Sequence, residues 1–183
     1  MDKQTWIDGA FEETDTGYKI ANTWILDKSE ESYMVKGVEL LCDQLSPSSV
    51  LEFGFGKGWT ASEFQRKGVT RHVILEPNKD NYQMALTWKA NYSTNIEIVN
   101  KFSWEYETSE RFDLVYDDRM EVISEDNHDT QMYKILPTGQ WYAGFATPCN
   151  NTKISDYPIF FNIGDNQYVQ PLLKIGEYKP CQQ

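Results

Sequence analysis

The sequence predicts an α/β fold in which a mostly parallel sheet is flanked by helices. Two observations carry this expectation. Strand-like and helix-like stretches alternate between residues 49 and 118, and the first strand breaks at once into a glycine-rich turn that leads into a helix. Size sets the number of domains: 183 residues with 40% hydrophobic and 14% aromatic content can bury one sizeable core and hardly two, so a single domain over 1–183 is expected.

The elements follow in order. ESYMVKGVELLCDQL (31–45) places Tyr33, Met34, Val38, Leu41, Cys42 and Leu45 three and four residues apart, the spacing of one apolar helix face. SPSS (46–49) ends that helix, and VLEF (50–53) is a short β-leaning run. After the glycines, WTASEFQRKG (59–68) has helical character and a stop at Gly68. HVILEP (72–77), IEIVNK (96–101) and RFDLVYDD (111–118) read as strands, with helical NKDNYQMALTWKANY (78–92) between the first two. Further on, DTQMYKILPTGQWYAGFAT (129–147) reads as helix, turn and strand, while YPIFFNI (157–163) and YVQPLLKI (168–175) are strand candidates.

Composition excludes several classes of function. Against 28 acidic residues stand 17 basic ones, a net charge of −11, and no cluster of Lys and Arg forms a phosphate-tracking patch. Nucleic acid is therefore not an expected partner, whereas an acidic surface suits a small cationic ligand. Cys42, Cys149 and Cys181 are scattered and lack CxxC spacing, so reduced thiols are expected rather than a zinc site or a disulfide framework. His72 and His128 sit in no ligand or triad spacing and are expected at the surface, with no metal. No apolar run approaches the roughly 18 residues of a membrane span, and the acidic N-terminus has no signal-like apolar stretch. A cytoplasmic location is expected, and a homo-oligomer is compatible with the sequence.

In an open α/β sheet, ligands bind outside the carboxyl ends of the strands. After the first strand comes Glu52-x-Gly54-x-Gly56-x-Gly58. A nicotinamide fingerprint needs its third glycine at position 59, which is Trp59, so that template fails while ExGxGxG remains. Such glycines let the backbone approach a nucleoside closely. Glu76, twenty residues beyond Gly56, ends the second strand where a carboxylate accepts hydrogen bonds from both hydroxyls of a free ribose. The fourth strand ends in Asp117 and Asp118, and because strand side chains alternate, one of the pair is expected to face the site.

As an ordered set these residues resemble the class I S-adenosylmethionine-dependent methyltransferases, and within them the guanidinoacetate N-methyltransferases and their arginine-methylating relatives. VLEFGFGKG is similar to the family's V-L-E-V-G-F-G, ILEPN to I-I-E-C-N, FSWEY to G-L-W-E-D and FDLVYDD to F-D-G-I-L-Y-D-T. Upstream, DTGYKIANTWILDKSEESYM (15–34) resembles the segment that covers the cofactor, with Glu30, Tyr33 and Met34 in place and Ser29 where the family has Trp.

This resemblance implies a Rossmann-like class I methyltransferase fold with 1–45 as cofactor and substrate cover, 46–150 as cofactor-binding core and 151–183 as a short, abbreviated C-terminal extension. S-adenosyl-L-methionine is the implied cofactor. Gly54, Gly56 and the neighbouring backbone would hold its methionine part, Glu76 its ribose, and Ser103, Trp104 and Glu105 would edge its adenine. Glu52, Phe55, Gly58, Pro77, Asn78, Met34 and Asp117 complete the implied cofactor set. Glu30 and Asp117 would hold a guanidino acceptor, with Asp117 as candidate base and Thr147 as a further substrate contact. Forked carboxylate pairing suits a planar guanidinium, and placement rather than activation would supply most of the rate.

Departures from the family pattern fall in the acceptor region. Leu136-Pro137-Thr138-Gly139-Gln140 stands where the family has L-K-P-G-G, and the proline after its Y-D-T is missing. An enzyme that cleaves the cofactor as a lyase or hydrolase, and a non-catalytic cofactor-binding module, are the two alternatives to an N-methyltransferase acting on a small guanidino or amino acceptor.

Overall fold

The computed structural model describes residues 1–119, 139–144, 159–170 and 172–174. The N-terminus forms α1 (Lys3–Asp8) and a small antiparallel sheet of β1 (Phe11–Glu13), β2 (Gly17–Ile20) and β3 (Thr23–Asp27). Then follow α2 (Glu31–Leu45), β4 (Ser49–Phe53), α3 (Trp59–Arg66), β5 (Arg71–Leu75), α4 (Lys79–Lys89), β6 (Asn95–Val99) and β7 (Phe112–Asp117). β8 (Gly139–Gly144) and β11 (Leu172–Lys174) extend the main sheet, while β9 (Ile159–Ile163) and β10 (Asn166–Gln170) make a separate hairpin.

The main sheet has the order β11-β8-β7-β4-β5-β6, and only β11 runs antiparallel to its neighbour. From β4 the chain moves outward through β5 to β6, then returns to the other side of β4 for β7. That reversal between β4 and β7 opens a crevice at the carboxyl ends of the strands. Phe53, Leu75 and Asp117 stand at its rim.

β4 and β5 are covered on both faces, so their residues are buried almost without interruption. Val50, Leu114 and Tyr116 pack with Val38 and Leu41 of α2 and Phe64 of α3 on one face. Leu51, Phe53, Val73, Val115 and Tyr142 form the core on the other. His72 is fully buried, which corrects the surface position expected for it. Its strand lies between two parallel neighbours, and its ring packs edge-on against Phe64 and Trp88. His128 lies outside the described residues.

α2 spans the residues that the apolar periodicity predicts and buries Met34, Gly37, Val38, Leu41 and Cys42. Burial pushes the free Cys42 thiol up to about 12, so it stays protonated at neutral pH. The helix ends at Ser46 in the left-handed conformation, φ 47°. A non-glycine residue there costs roughly 1–2 kcal/mol, part of which glycine's greater freedom in the unfolded chain would offset. Ser46→Gly is accordingly expected to raise stability by about 0.5–1 kcal/mol, read as an upward shift of roughly 2 °C in thermal melting.

The small N-terminal sheet adds to what the sequence predicts. β2 and β3 join through Ala21 and Asn22, both at positive φ (47° and 65°), a two-residue hairpin turn. This sheet lies over the glycine turn. Tyr18 meets the Trp59 ring edge-on at 6.0 Å, and Leu26 reaches to 3.5 Å of where a Cβ on Gly56 would stand. The β9–β10 hairpin packs on α2, where Tyr33 stacks on Tyr168 with ring centroids 5.0 Å apart. The run 168–175 thus supplies the end of β10 and then β11, which belong to different sheets. Among the described residues no helix is long and apolar enough to cross a membrane.

Candidate active site

The glycine turn is built from three left-handed residues, Gly54 (φ 84°), Gly56 (φ 53°) and Gly58 (φ 72°). Gly54 donates its N–H to Leu75 O at 2.8 Å, which ties the turn to the end of β5. A Cβ there would stand 3.2 Å from the Asp118 carbonyl oxygen, so the turn also abuts the chain leaving β7. Gly58 opens α3 as its N-cap.

Glu52 lies beneath this turn, fully buried between the sheet and α3. It accepts from Thr60 Oγ1 at 2.5 Å, and its other oxygen is 2.9 Å from His72 Nε2, though not in the alignment of a hydrogen bond. Gln65 Nε2 is 3.2 Å from the opposite ring nitrogen. Glu52 therefore braces the turn from behind.

Glu76 is 3% exposed and bridges β5 to the turn. Its carboxylate accepts from Phe55 N at 3.0 Å and Asn78 N at 2.8 Å. Burial pushes its carboxyl up to about 7, against the opposing pull of these hydrogen bonds. A carboxylate aimed at the glycine turn from the end of the second parallel strand, beside three glycines in conformations that a Cβ disfavours, is an arrangement that could hold a nucleoside.

Other residues of the implied cofactor set have different uses. The Asn78 side chain caps α4 by accepting from Asn81 N at 3.0 Å, and donates to Trp6 O and Gly9 O at 2.8 and 2.7 Å, which pins the N-terminus to the β5–α4 junction. The Phe55 ring is buried against Trp88, so only its backbone faces Glu76. Glu105 pairs with Lys3 and accepts from Phe102 N, while Trp104 stacks on Phe102 at 4.4 Å. Met34 is core on α2, 2% exposed. Ser103 is buried and turned toward β7, where it meets Arg119. Thr147 lies outside the described residues.

The two aspartates at the end of β7 diverge. Asp117 shares a face with Tyr142 and is fully buried. Arg119 engages it with both arms of its fork, Nε to Oδ1 at 2.7 Å and Nη2 to Oδ2 at 2.6 Å, and Tyr142 OH donates to Oδ2 at 2.7 Å. Asp118 follows on the opposite face, with Tyr116 and Tyr33. Its carboxyl is held well above the ordinary range by burial first, then by the charges of Glu52, Asp117 and Glu30. Glu30 accepts from Tyr33 OH at 3.1 Å and from Asp27 N at 2.8 Å. The carboxylate that the fold brings toward Glu30 is thus Asp118, while Asp117 is committed to Arg119.

Arg119 and Tyr142 escape a reading of the sequence. Tyr142 arrives by parallel pairing with Val115 from another strand and has no local signal. For Arg119 the signal was its place directly after Asp117-Asp118 in a short acidic segment.

A turn of this construction, at the switch point of a parallel sheet and facing an acidic strand end, defines the class I methyltransferase architecture. The comparisons agree. The family model described as guanidinoacetate N-methyltransferase matches residues 2–156, and the chain belongs to that family. Among solved structures, the N-methyltransferase NodS from Bradyrhizobium japonicum WM9 superposes with a TM-score of 0.59 at 13% identity, over 78% of this chain and 94% of that one. NodS in complex with S-adenosyl-L-homocysteine gives 0.53 at 17% identity, over 64% and 61%. The Burkholderia thailandensis 1,6-didemethyltoxoflavin-N1-methyltransferase, with bound 1,6-didemethyltoxoflavin and S-adenosylhomocysteine, gives 0.53 at 15% identity, over 77% and 62%. At these identities the likeness is one of fold, and the chain spans about three fifths of the length of the latter two. A search of curated proteins finds no match.

Proposed function

We propose that the protein transfers a methyl group from S-adenosylmethionine to a nitrogen of a small cationic acceptor, guanidino or amino. The observation that carries this reading is the Asp118 carboxyl, within electrostatic reach of Glu30 on a segment whose backbone abuts the glycine turn, in a chain of this family. When bound, S-adenosylmethionine supplies an electrophilic methyl group on its sulfonium. Gly54, Gly56 and the adjoining backbone would hold its aminoacyl part and Glu76 its ribose.

The chain's own residues do the rest. Carboxylates within electrostatic reach of one another repel, and a cation between them relieves that repulsion. A protonated nitrogen has no lone pair for the transferred methyl, so the acceptor must lose a proton before or during transfer. A carboxylate whose proton affinity is raised, as that of Asp118 is, suits the task better than an exposed one. Glu30, fixed by Tyr33 and by the backbone of Asp27, would orient the acceptor. Asp117, engaged by Arg119 and Tyr142, would act as a positioning residue rather than the base.

Glu30→Gln and Asp118→Asn are each expected to lower kcat/KM about 10–100-fold, the worth of one charge-assisted hydrogen bond at roughly 1.5–3 kcal/mol. S-adenosylhomocysteine affinity should stay within threefold. The test is to incubate the protein with S-adenosylmethionine and guanidinoacetate, arginine, an arginine-containing peptide and simple primary amines, then identify products by mass spectrometry. S-adenosylhomocysteine that forms only with an acceptor supports the reading. Methylthioadenosine would point instead to cofactor cleavage, and an unchanged cofactor to a binding module.

A further inference from the structure

We propose that Arg119 is a resident guanidinium that fills the carboxylate fork of Asp117, leaves only the Glu30 and Asp118 side to an acceptor, and so turns the site away from guanidino acceptors toward amino ones. The geometric part stands on its own; its consequence for the acceptor rests on the methyl-transfer reading above.

The Arg119 guanidinium is recognised on three sides. Its fork is met by both oxygens of Asp117, its third nitrogen, Nη1, donates to Ser103 Oγ at 2.6 Å, and its face lies 5.1 Å from the Phe53 ring centroid. A forked carboxylate, a hydroxyl on the remaining edge and an aromatic ring beneath the plane together make a receptor for a guanidinium, whichever molecule brings it.

That receptor is full. Two carboxylate oxygens offer about four lone-pair sites. Arg119 N and Nε take Oδ1 at 3.2 and 2.7 Å, and Arg119 Nη2 and Tyr142 OH take Oδ2 at 2.6 and 2.7 Å. Because Arg119 is only two residues away in the chain, its effective concentration at Asp117 is on the order of millimolar or more. A free guanidino compound must displace it and give up the matched geometry.

On the opposite face, Asp118 and Glu30 face no such competitor: among the described residues no side-chain hydrogen bond or ion pair holds the Asp118 carboxylate. An ammonium is a compact charge with three rotatable donors and needs no fork, so two carboxylates on separate elements can share it without the planar match that a guanidinium requires.

Two probes separate the cases, methylguanidinium and methylammonium, each titrated calorimetrically into wild type, Arg119→Gln and Arg119→Lys with S-adenosylhomocysteine present. Methylguanidinium is expected to bind Arg119→Gln at least tenfold more tightly than wild type, while methylammonium changes less than threefold. Methyl-transfer assays should show kcat/KM for guanidino over amino acceptors rising at least tenfold in the same variant. Methylguanidinium affinity within threefold across all three proteins would overturn the proposal. Should Arg119→Gln lose its thermal transition, Arg119→Lys decides by the same comparison, because lysine keeps the charge without the fork. A gain in methylguanidinium affinity with no methyl transfer to any acceptor would retire the methyl-transfer reading and leave Arg119 as the occupant of the Asp117 fork.

Discussion

Glu76→Gln is expected to weaken S-adenosylhomocysteine binding by two orders of magnitude or more and, in the free protein, to flatten the pH dependence of folding. The binding loss follows from the role proposed for Glu76. Two hydroxyl donors to an ionised, buried carboxylate are worth about 1.5–3 kcal/mol each, so losing both amounts to a factor on the order of 10² to 10⁴. The pH effect follows from burial. In the folded protein the Glu76 carboxyl titrates at about 7 rather than at its ordinary 4.5. Between these values the folded state holds a proton that the unfolded chain has released, so stability falls as pH rises through that window. The shift corresponds to about 3 kcal/mol, fully lost above pH 7. Denaturant unfolding at pH 5, 6, 7 and 8 reads this directly: wild type should lose stability toward pH 8 and Glu76→Gln should lose much less. Ligand binding should run the other way, because hydroxyl donors favour the ionised carboxylate, so wild-type affinity should rise through pH 7. An equal stability loss in the variant would mean that another group carries the pH dependence, and ligand affinity within tenfold of wild type would remove Glu76 from the ribose site.

The same residue shows why a binding site and a stable core compete. Glu76 satisfies two amides of the turn and its own strand end, yet its charge remains poorly solvated. An apolar residue would fold more readily and bind nothing. Sites of this kind are where local consistency gives way to chemistry.

The central architecture was legible because its signals are local and periodic. α2, with apolar residues three and four apart, forms over the residues its sequence marks, and the glycines fall at positive φ after a buried strand. The N-terminal sheet was not legible. Its β2–β3 hairpin turns on Ala21-Asn22, and alanine is not a residue that advertises a left-handed turn. His72 was misjudged for a related reason: spacing says nothing about burial, and a central strand covered on both faces buries nearly every residue it carries. At the acceptor side, alternation correctly separated Asp117 from Asp118, but which one meets Glu30 depends on how α2 lies across the sheet. Arg119 filling Asp117 needs three-dimensional adjacency to Ser103 and Phe53, which no local pattern encodes.

Gly58→Ala should be the most damaging of the single-methyl additions to the turn. At φ 72° an alanine carries a left-handed penalty of roughly 1–2 kcal/mol. At Gly58 the added Cβ would also stand 2.6 and 2.7 Å from two atoms of the Phe55 ring. That ring cannot step aside cheaply, because it is 3% exposed and packs against Trp88 at 5.5 Å. Overpacking of this kind adds about 1–3 kcal/mol, for a total near 2–5 kcal/mol. Moving Phe55 also moves the N–H that Glu76 accepts, so ligand affinity should fall with stability. Gly56→Ala is the internal comparison: it carries a similar backbone penalty at φ 53°, but its nearest neighbour is Leu26 Cδ2 at an ordinary 3.5 Å. Denaturant unfolding should therefore place Gly58→Ala at least 1 kcal/mol below Gly56→Ala, the overpacking difference alone. Equal losses would mean that the turn is limited by backbone strain and that Phe55 yields freely, which would loosen the link from Gly58 through Phe55 to Glu76.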